Sequence, residues 1–161
     1  DDKLPSITYW LMGGLSSTNL GDLPLLLVPV VLGMVPMLLF RYQLNALSFG
    51  DEEARALGVN TRFVRALFIG CATLVTSASV AAAGMIGWVG LVIPHLARMV
   101  VGPNHKVLLP ASLLLGGLYL LVIDDLCRCL FAIELPLSVL TAVIGAPFFI
   151  YLLTRGRSTW T

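Results

Sequence analysis

Residues 23–40 read LPLLLVPVVLGMVPMLLF, and the next stretch, RYQLNALSFGDEEARALGVNTRFVR at 41–65, changes character at once. The first carries no charge and is long enough to cross about 30 Å of hydrocarbon at about 1.5 Å per helical residue. Four arginines and three acids crowd the second. An uncharged run of spanning length followed by a charged elbow predicts an all-α, polytopic transmembrane helical bundle. Scanning outward gives further runs of that kind at 66–83, 84–101, 107–123 and 135–153, about five spans in all. The second and third runs nearly touch, which places a hairpin at Ala81–Gly84. Gly87, Gly90 and Pro94 mark the third as short or kinked. The stretch 7–15 is too short to span and reads as the end of a helix.

Composition supports this outline. Of 161 residues, 58% are hydrophobic and 12% charged, against roughly 25% charged in soluble domains. Mean hydropathy is +0.93. Disorder and a coiled coil are excluded, and a net charge of +1 supplies no field for nucleic acid. Three cysteines do not make a disulfide framework. Cys71 reads as a small hydrophobe, and Cys127 with Cys129 is too few ligands for a metal site. The opening Asp1-Asp2-Lys3-Leu4-Pro5 lacks a signal-peptide pattern. The chain reads as beginning partway through something larger, or as a mature or engineered start.

Charge then sets orientation, because Lys and Arg flanking spans are retained on the cytoplasmic side. Arg41, Arg55, Arg62, Arg65, Arg98, Lys106, Arg155 and Arg157 fall on one side, eight of the ten basic residues. Lys3 and Arg128 fall on the other, with Asp1, Asp2, Asp22, Asp124, Asp125 and Glu134. The C-terminus is thus expected in the cytoplasm and the loop around Arg128 outside.

Several chemistries lack their residues. No Asp or Glu stands between Ala54 and Ile123 or after Glu134, whereas ion-coupled carriers place an acid at membrane depth. Neither Lys3 nor Lys106 follows a Gly, so there is no phosphate-cradling loop. His95 and His105 form no H-E-x-x-H pattern and read as a packing His and a loop His. Thr76, Ser77 and Ser79 have no adjacent base, and are expected to bond back to helix carbonyls or across to a neighbouring helix.

The elbow at 41–65 is the informative interruption. Ser48 with Asp51 three residues on is a variant capping box, acids fill the following first turn, and Gly58 suits a left-handed cap. A short capped helix is expected there, with Asp51 and Arg55 paired at i, i+4 and with Ala54 and Leu57 sharing a face. It is either a connector lying on the bilayer surface or a docking knob for a cytoplasmic partner.

Here the residues carry a resemblance. Leu44-Asn45-x-Leu47-Ser48-x-Gly50-x-x-x-Ala54-Arg55-x-Leu57-Gly58 is followed by Gly84-x-Ile86-Gly87-x-Val89-Gly90-Leu91-Val92-Ile93-Pro94-His95-x-x-Arg98. Leu108-Leu109-Pro110, Asp124, Glu134-Leu135-Pro136 and Gly145-Ala146-Pro147-Phe148-Phe149 complete the set. Collinear from about Tyr9 to Arg155, they resemble the permeases of ATP-driven (ABC) importers for ferric siderophores, haem and vitamin B12.

That resemblance implies a ten-span permease that works as a dimer in a bacterial or archaeal cytoplasmic membrane, of which this chain is the C-terminal half. It implies no catalytic residue, cofactor or metal in the chain itself. ATP-binding cassette ATPase subunits dock below, a periplasmic or extracellular solute-binding protein above. The ATPase-coupling residues it implies are Leu44, Asn45, Leu47, Ser48, Gly50, Asp51, Glu52, Ala54, Arg55, Leu57 and Gly58. Arg128 resembles an external arginine that receives a carboxylate of the binding protein; read from the residues alone, it is a snorkelling Arg paired with Asp124 or Asp125. Gly87, Gly90, Pro94, Gly145 and Pro147 are the helix-packing and pathway positions, with Phe148 and Phe149 reading as core. The alternative to a transport subunit is a membrane scaffold with no transport role.

Overall fold

The computed structural model describes residues 2–130, 133 and 135–156; Asp1, Glu134 and Arg157, to which charge gave a side of the membrane, lie outside the described residues. The helices run in order α1 (Lys3–Leu11), α2 (Leu23–Leu39, entered by a 3-10 turn at Leu20–Asp22), α3 (Arg41–Ser48), α4 (Asp51–Ala56), α5 (Thr61–Ala83), α6 (Val89–Val101), α7 (His105–Leu130) and α8 (Leu137–Gly156). No strand occurs among the described residues.

Four helical stretches are long and apolar enough to cross a membrane: Leu20–Leu39, Thr61–Ala83, His105–Leu130 and Leu137–Gly156. The third expected span is shorter than its apolar run. Residues 84–88 stay outside any helix and α6 has 13 residues, which reach only about 20 Å. The cause is local: Gly84 and Trp88 have φ of +73° and +69°, a region that no α-helix uses. Two other boundaries move outward. Asn60 starts α5 early by accepting the Phe63 N–H on its side-chain oxygen at 3.2 Å, as an N-cap does. At the far end of α7, Asp124, Asp125 and Arg128 lie within the helix, so the loop expected around Arg128 is a helical turn. The Arg128 Nε donates to Asp124 Oδ2 at 3.0 Å across one turn, which favours continuing the helix.

The chain divides into two compact units. One draws on Thr18–Ala82 and Val101–Ala111. In it α2 and α5 approach closely at Gly33, where an added Cβ would overlap the Val75 side chain and lie 3.0 Å from the Cys71 carbonyl oxygen. Phe40 meets Phe63 edge to face at 5.8 Å between ring centres. Along α5, the Ser77 and Ser79 hydroxyls donate back to the carbonyls of Thr73 and Val75, as expected for hydroxyls in an apolar setting.

The other unit draws on Asp1–Ser17, Ala83–Val100 and Ser112–Thr161. Its centre is Ile123, Cys127 and Leu137, with Leu15, Ile86, Tyr119, Leu135 and Leu140 against them. The Gly13-Gly14 turn binds this unit together. Gly14 N–H donates to the Ala83 carbonyl at 2.9 Å and Gly13 O accepts from Leu137 N–H at 3.1 Å. A Cβ on Gly13 would stand 2.6 Å from the Met85 carbonyl oxygen, and one on Gly84 would overlap the Trp10 carbonyl. Backbones this close admit only glycine.

Candidate functional site

The polar elbow folds as two short helices rather than one. α2 ends at Leu39 with Phe40 as its C-cap, and Arg41 Nη1 donates to the Leu38 carbonyl at 3.0 Å, closing the helix with a cation at its negative end. Arg41 and the Lys106 ammonium both stand over the Tyr42 ring, at 5.2 and 5.1 Å from its centre. Leu44, Asn45, Leu47 and Ser48 lie on α3.

The expected Ser48–Asp51 capping box does not form. The Ser48 hydroxyl donates backward to the Asn45 carbonyl, and the N-cap of α4 is Gly50, with φ +112° and ψ 161°. That conformation is nearly glycine-only, so the backbone turn takes the place of a side-chain cap. Asp51, Glu52 and Glu53 occupy the first turn of α4 and Arg55 its last, each at the end its charge favours. Gly58 takes φ +84°, the expected left-handed position.

Asp51 does not pair with Arg55. Its Oδ1 accepts from Arg65 Nη2 at 2.8 Å and its Oδ2 from Nη1 at 3.4 Å, a two-pronged bridge from α4 to the start of α5. This hydrogen bond, and then the Arg65 charge, hold the Asp51 carboxyl below the usual carboxylate range, with a smaller contribution from Arg55. The bridge wins because a two-pronged guanidinium contact is geometrically better than a pairing along one helix. Nor do Ala54 and Leu57 share a buried face. Ala54 is fully buried, whereas Leu57 is 68% exposed and Phe49 71%. Two apolar side chains thus stand free at either end of α4, on a segment otherwise polar. Phe49 was hidden in the sequence because a single apolar residue beside a turn glycine carries no periodic signal.

On its other flank the elbow is tied to the start of α7. Asn45 Oδ1 accepts the His105 backbone N–H at 2.7 Å, and His105 Nδ1 lies 3.1 Å from the same oxygen. Asn45 Nδ2 donates to Asn104 Oδ1, which also accepts the Lys106 N–H at 3.0 Å. His105, expected in a loop, is the first residue of α7. These contacts join positions about sixty residues apart in sequence, so no local pattern announces them.

The remaining expected positions lie in the other unit. Arg128, in the last turn of α7, keeps its side chain 56% exposed while paired with Asp124. Its Nη groups make no further hydrogen bond among the described residues. Gly145 is the tight packing point: a Cβ there would stand 2.5 Å from Trp88 Cβ. Trp88 and Phe149 meet edge to face at 6.1 Å, His95 and Phe148 at 6.2 Å. Phe149 is nevertheless 37% exposed. A Cβ on Gly87 or Gly90 would meet nothing within 4 Å. Pro94 and Pro147 lie inside α6 and α8, which continue through them. Trp88 itself was not foreseen, since a positive φ on a bulky residue leaves no mark in sequence.

The chain is similar to known proteins over nearly its whole length. The chain is 45% identical over 159 residues to the molybdate import system permease protein MolB of Haemophilus influenzae, covering 97% of this chain and 47% of that protein. It is 46% identical over 145 residues to the cobalamin import system permease protein BtuC of Halobacterium salinarum, covering 90% and 39%. With the hemin transport system permease protein HmuU of Yersinia pestis it shares 41% over 162 residues, covering 98% and 47%. A solved structure of a transporter assigned to the metal-chelate ABC type, in an inward-facing conformation, superposes with a TM-score of 0.90 at 44% identity, over 96% of this chain and 50% of that one. The chain spans about half the length of the curated relatives it matches. Residues 1–155 match the FecCD transport family, and this multi-pass membrane protein, its apolar helices interrupted by one polar elbow, belongs to that family.

Proposed function

We propose that this chain forms the C-terminal half of the transmembrane subunit of an ATP-driven importer, and that its elbow is where a separate ATPase grips it. The observation that carries this reading is the exposure of Phe49 and Leu57, 71% and 68%, at the two ends of a helix held in place by Asp51 and Arg65. Exposed apolar anchors on a fixed scaffold suit a protein groove. A helix tied at its first turn passes on a displacement that a free loop would absorb. The chain supplies no group for nucleotide chemistry, so hydrolysis belongs to the partner.

On this reading the elbow and the Arg155 end lie in the cytoplasm, by the distribution of Lys and Arg, of a bacterial or archaeal inner membrane. The same rule assigns Arg128, flanked by Asp124 and Asp125, to the external side. With Nε engaged by Asp124, its Nη groups are available for a carboxylate of a solute-binding protein. The cargo is a metal chelate of the iron-siderophore, haem or cobalamin kind, or an oxyanion such as the molybdate of the MolB relative. Two permease subunits enclose the pathway, α8 lining it from this half.

The test is a double substitution, Phe49→Ser with Leu57→Ser, in the complete permease. Both side chains are exposed, so membrane insertion is unchanged. Co-purification of the ATPase is expected to weaken on the order of a thousandfold, two anchors at roughly 2 kcal/mol each. Undiminished association would overturn the docking role.

A further inference from the structure

Resting on the reading of the elbow as the ATPase-facing segment, we infer that Asn104 is a positioning residue that clamps the elbow to α7, so that α3 and the first turn of α7 move as one body. The elbow follows α2 in the chain, yet its side chains fasten it elsewhere. Asn104 Oδ1 accepts two donors at once, the Asn45 Nδ2 from α3 and the Lys106 N–H of its own helix. Asn45 reciprocates by accepting the His105 N–H at 2.7 Å on its own oxygen. The Lys106 ammonium over the Tyr42 ring adds a third bond between the same two elements.

Asn104 therefore has two separable jobs. One is the ordinary N-cap of α7, in which its backbone carbonyl accepts from Val107 and Leu108 and its side chain from Lys106. The other is the reach across to Asn45, which no cap requires. Substitutions can split them. Asn104→Ser keeps a short cap acceptor for α7 but cannot span to Asn45. Asn104→Asp keeps the acceptor oxygen that serves both. Because Ser, Asp and Asn cap helices about equally well, a purely structural role predicts that both variants behave like wild type.

The experiment uses the complete permease assembled with its ATPase, in a background without Cys71, Cys127 and Cys129. Spin labels are placed at Gln43→Cys on α3 and Val107→Cys on α7, and their separation is read by pulsed electron resonance with and without ATP. Wild type and Asn104→Asp are expected to give one narrow distance that ATP does not change. Asn104→Ser is expected to give a second, longer distance when ATP is added. An ATP-dependent distance in wild type, or a single unchanged distance in Asn104→Ser while the ATPase stays bound, would overturn the clamp and leave the docking reading intact. An ATPase that fails to assemble with the wild-type permease would overturn both.

Discussion

Gly145 shows how one missing methyl group fixes the approach of two segments. An added Cβ would stand 2.5 Å from Trp88 Cβ and 2.8 Å from Cγ, and the Cβ, fixed by the backbone, cannot move aside by a change of rotamer. Gly145→Ala is therefore expected to destabilise the permease by about 1–3 kcal/mol, the usual range for overpacking. Gly90→Ala, which meets nothing within 4 Å, is expected to leave steric packing unchanged. Thermal unfolding of the two variants in detergent checks the contrast, and equal melting temperatures would contradict it. Gly13 and Gly84 answer to the same logic with backbone carbonyls as the obstacle.

At the scale of elements, the elbow's order rests on polar pairs rather than on burial, since Ala54 alone is buried on α4. The Asp51–Arg65 pair is half exposed, 45% and 54% for the two side chains, so its contribution is screened by salt. Its pH dependence has a definite sign. The folded carboxyl titrates below its ordinary value, so the stabilisation is complete above the unfolded carboxylate pKa and is lost only as pH falls through the lowered folded value. If the elbow docks an ATPase as proposed, association that depends on this brace is expected to stay flat between about pH 6 and 8, and to weaken with added salt. Asp51→Asn should remove part of the salt dependence. A binding titration at several ionic strengths measures both, and a salt response identical in Asp51→Asn would disprove the contribution of the pair.

Across the described residues, large apolar side chains are exposed far more often than buried. Leu25 is 82% exposed and Leu114 77%, on helices of spanning length. An outer surface of that kind is stable only against lipid or further helices. The chain is accordingly expected to remain in the membrane pellet after an alkaline carbonate wash, read by immunoblot of both fractions. Recovery in the supernatant would contradict the membrane fold itself.

Much of this was legible from residue order alone. The uncharged run 23–40, the charged elbow and the Gly and Pro positions at 84–94 determined the fold class, four of the five expected spans with ends up to seven residues off, and the shortness of the helix at 89–101, because burial in lipid demands long apolar helices whatever their neighbours. The motifs at 44–58 and 84–98 pointed to the family that similarity to known permeases then established. Partners of individual side chains were decided only in three dimensions. Asp51 had a helical neighbour in Arg55 and chose Arg65; Ser48 had a capping pattern and lost its place to a left-handed Gly50; Asn45 found Asn104 and His105 about sixty residues on. Periodicity reports which face of a helix is apolar, but a hydrogen bond goes to the donor that packing brings within about 3 Å, and that distance is set by how the helices stack.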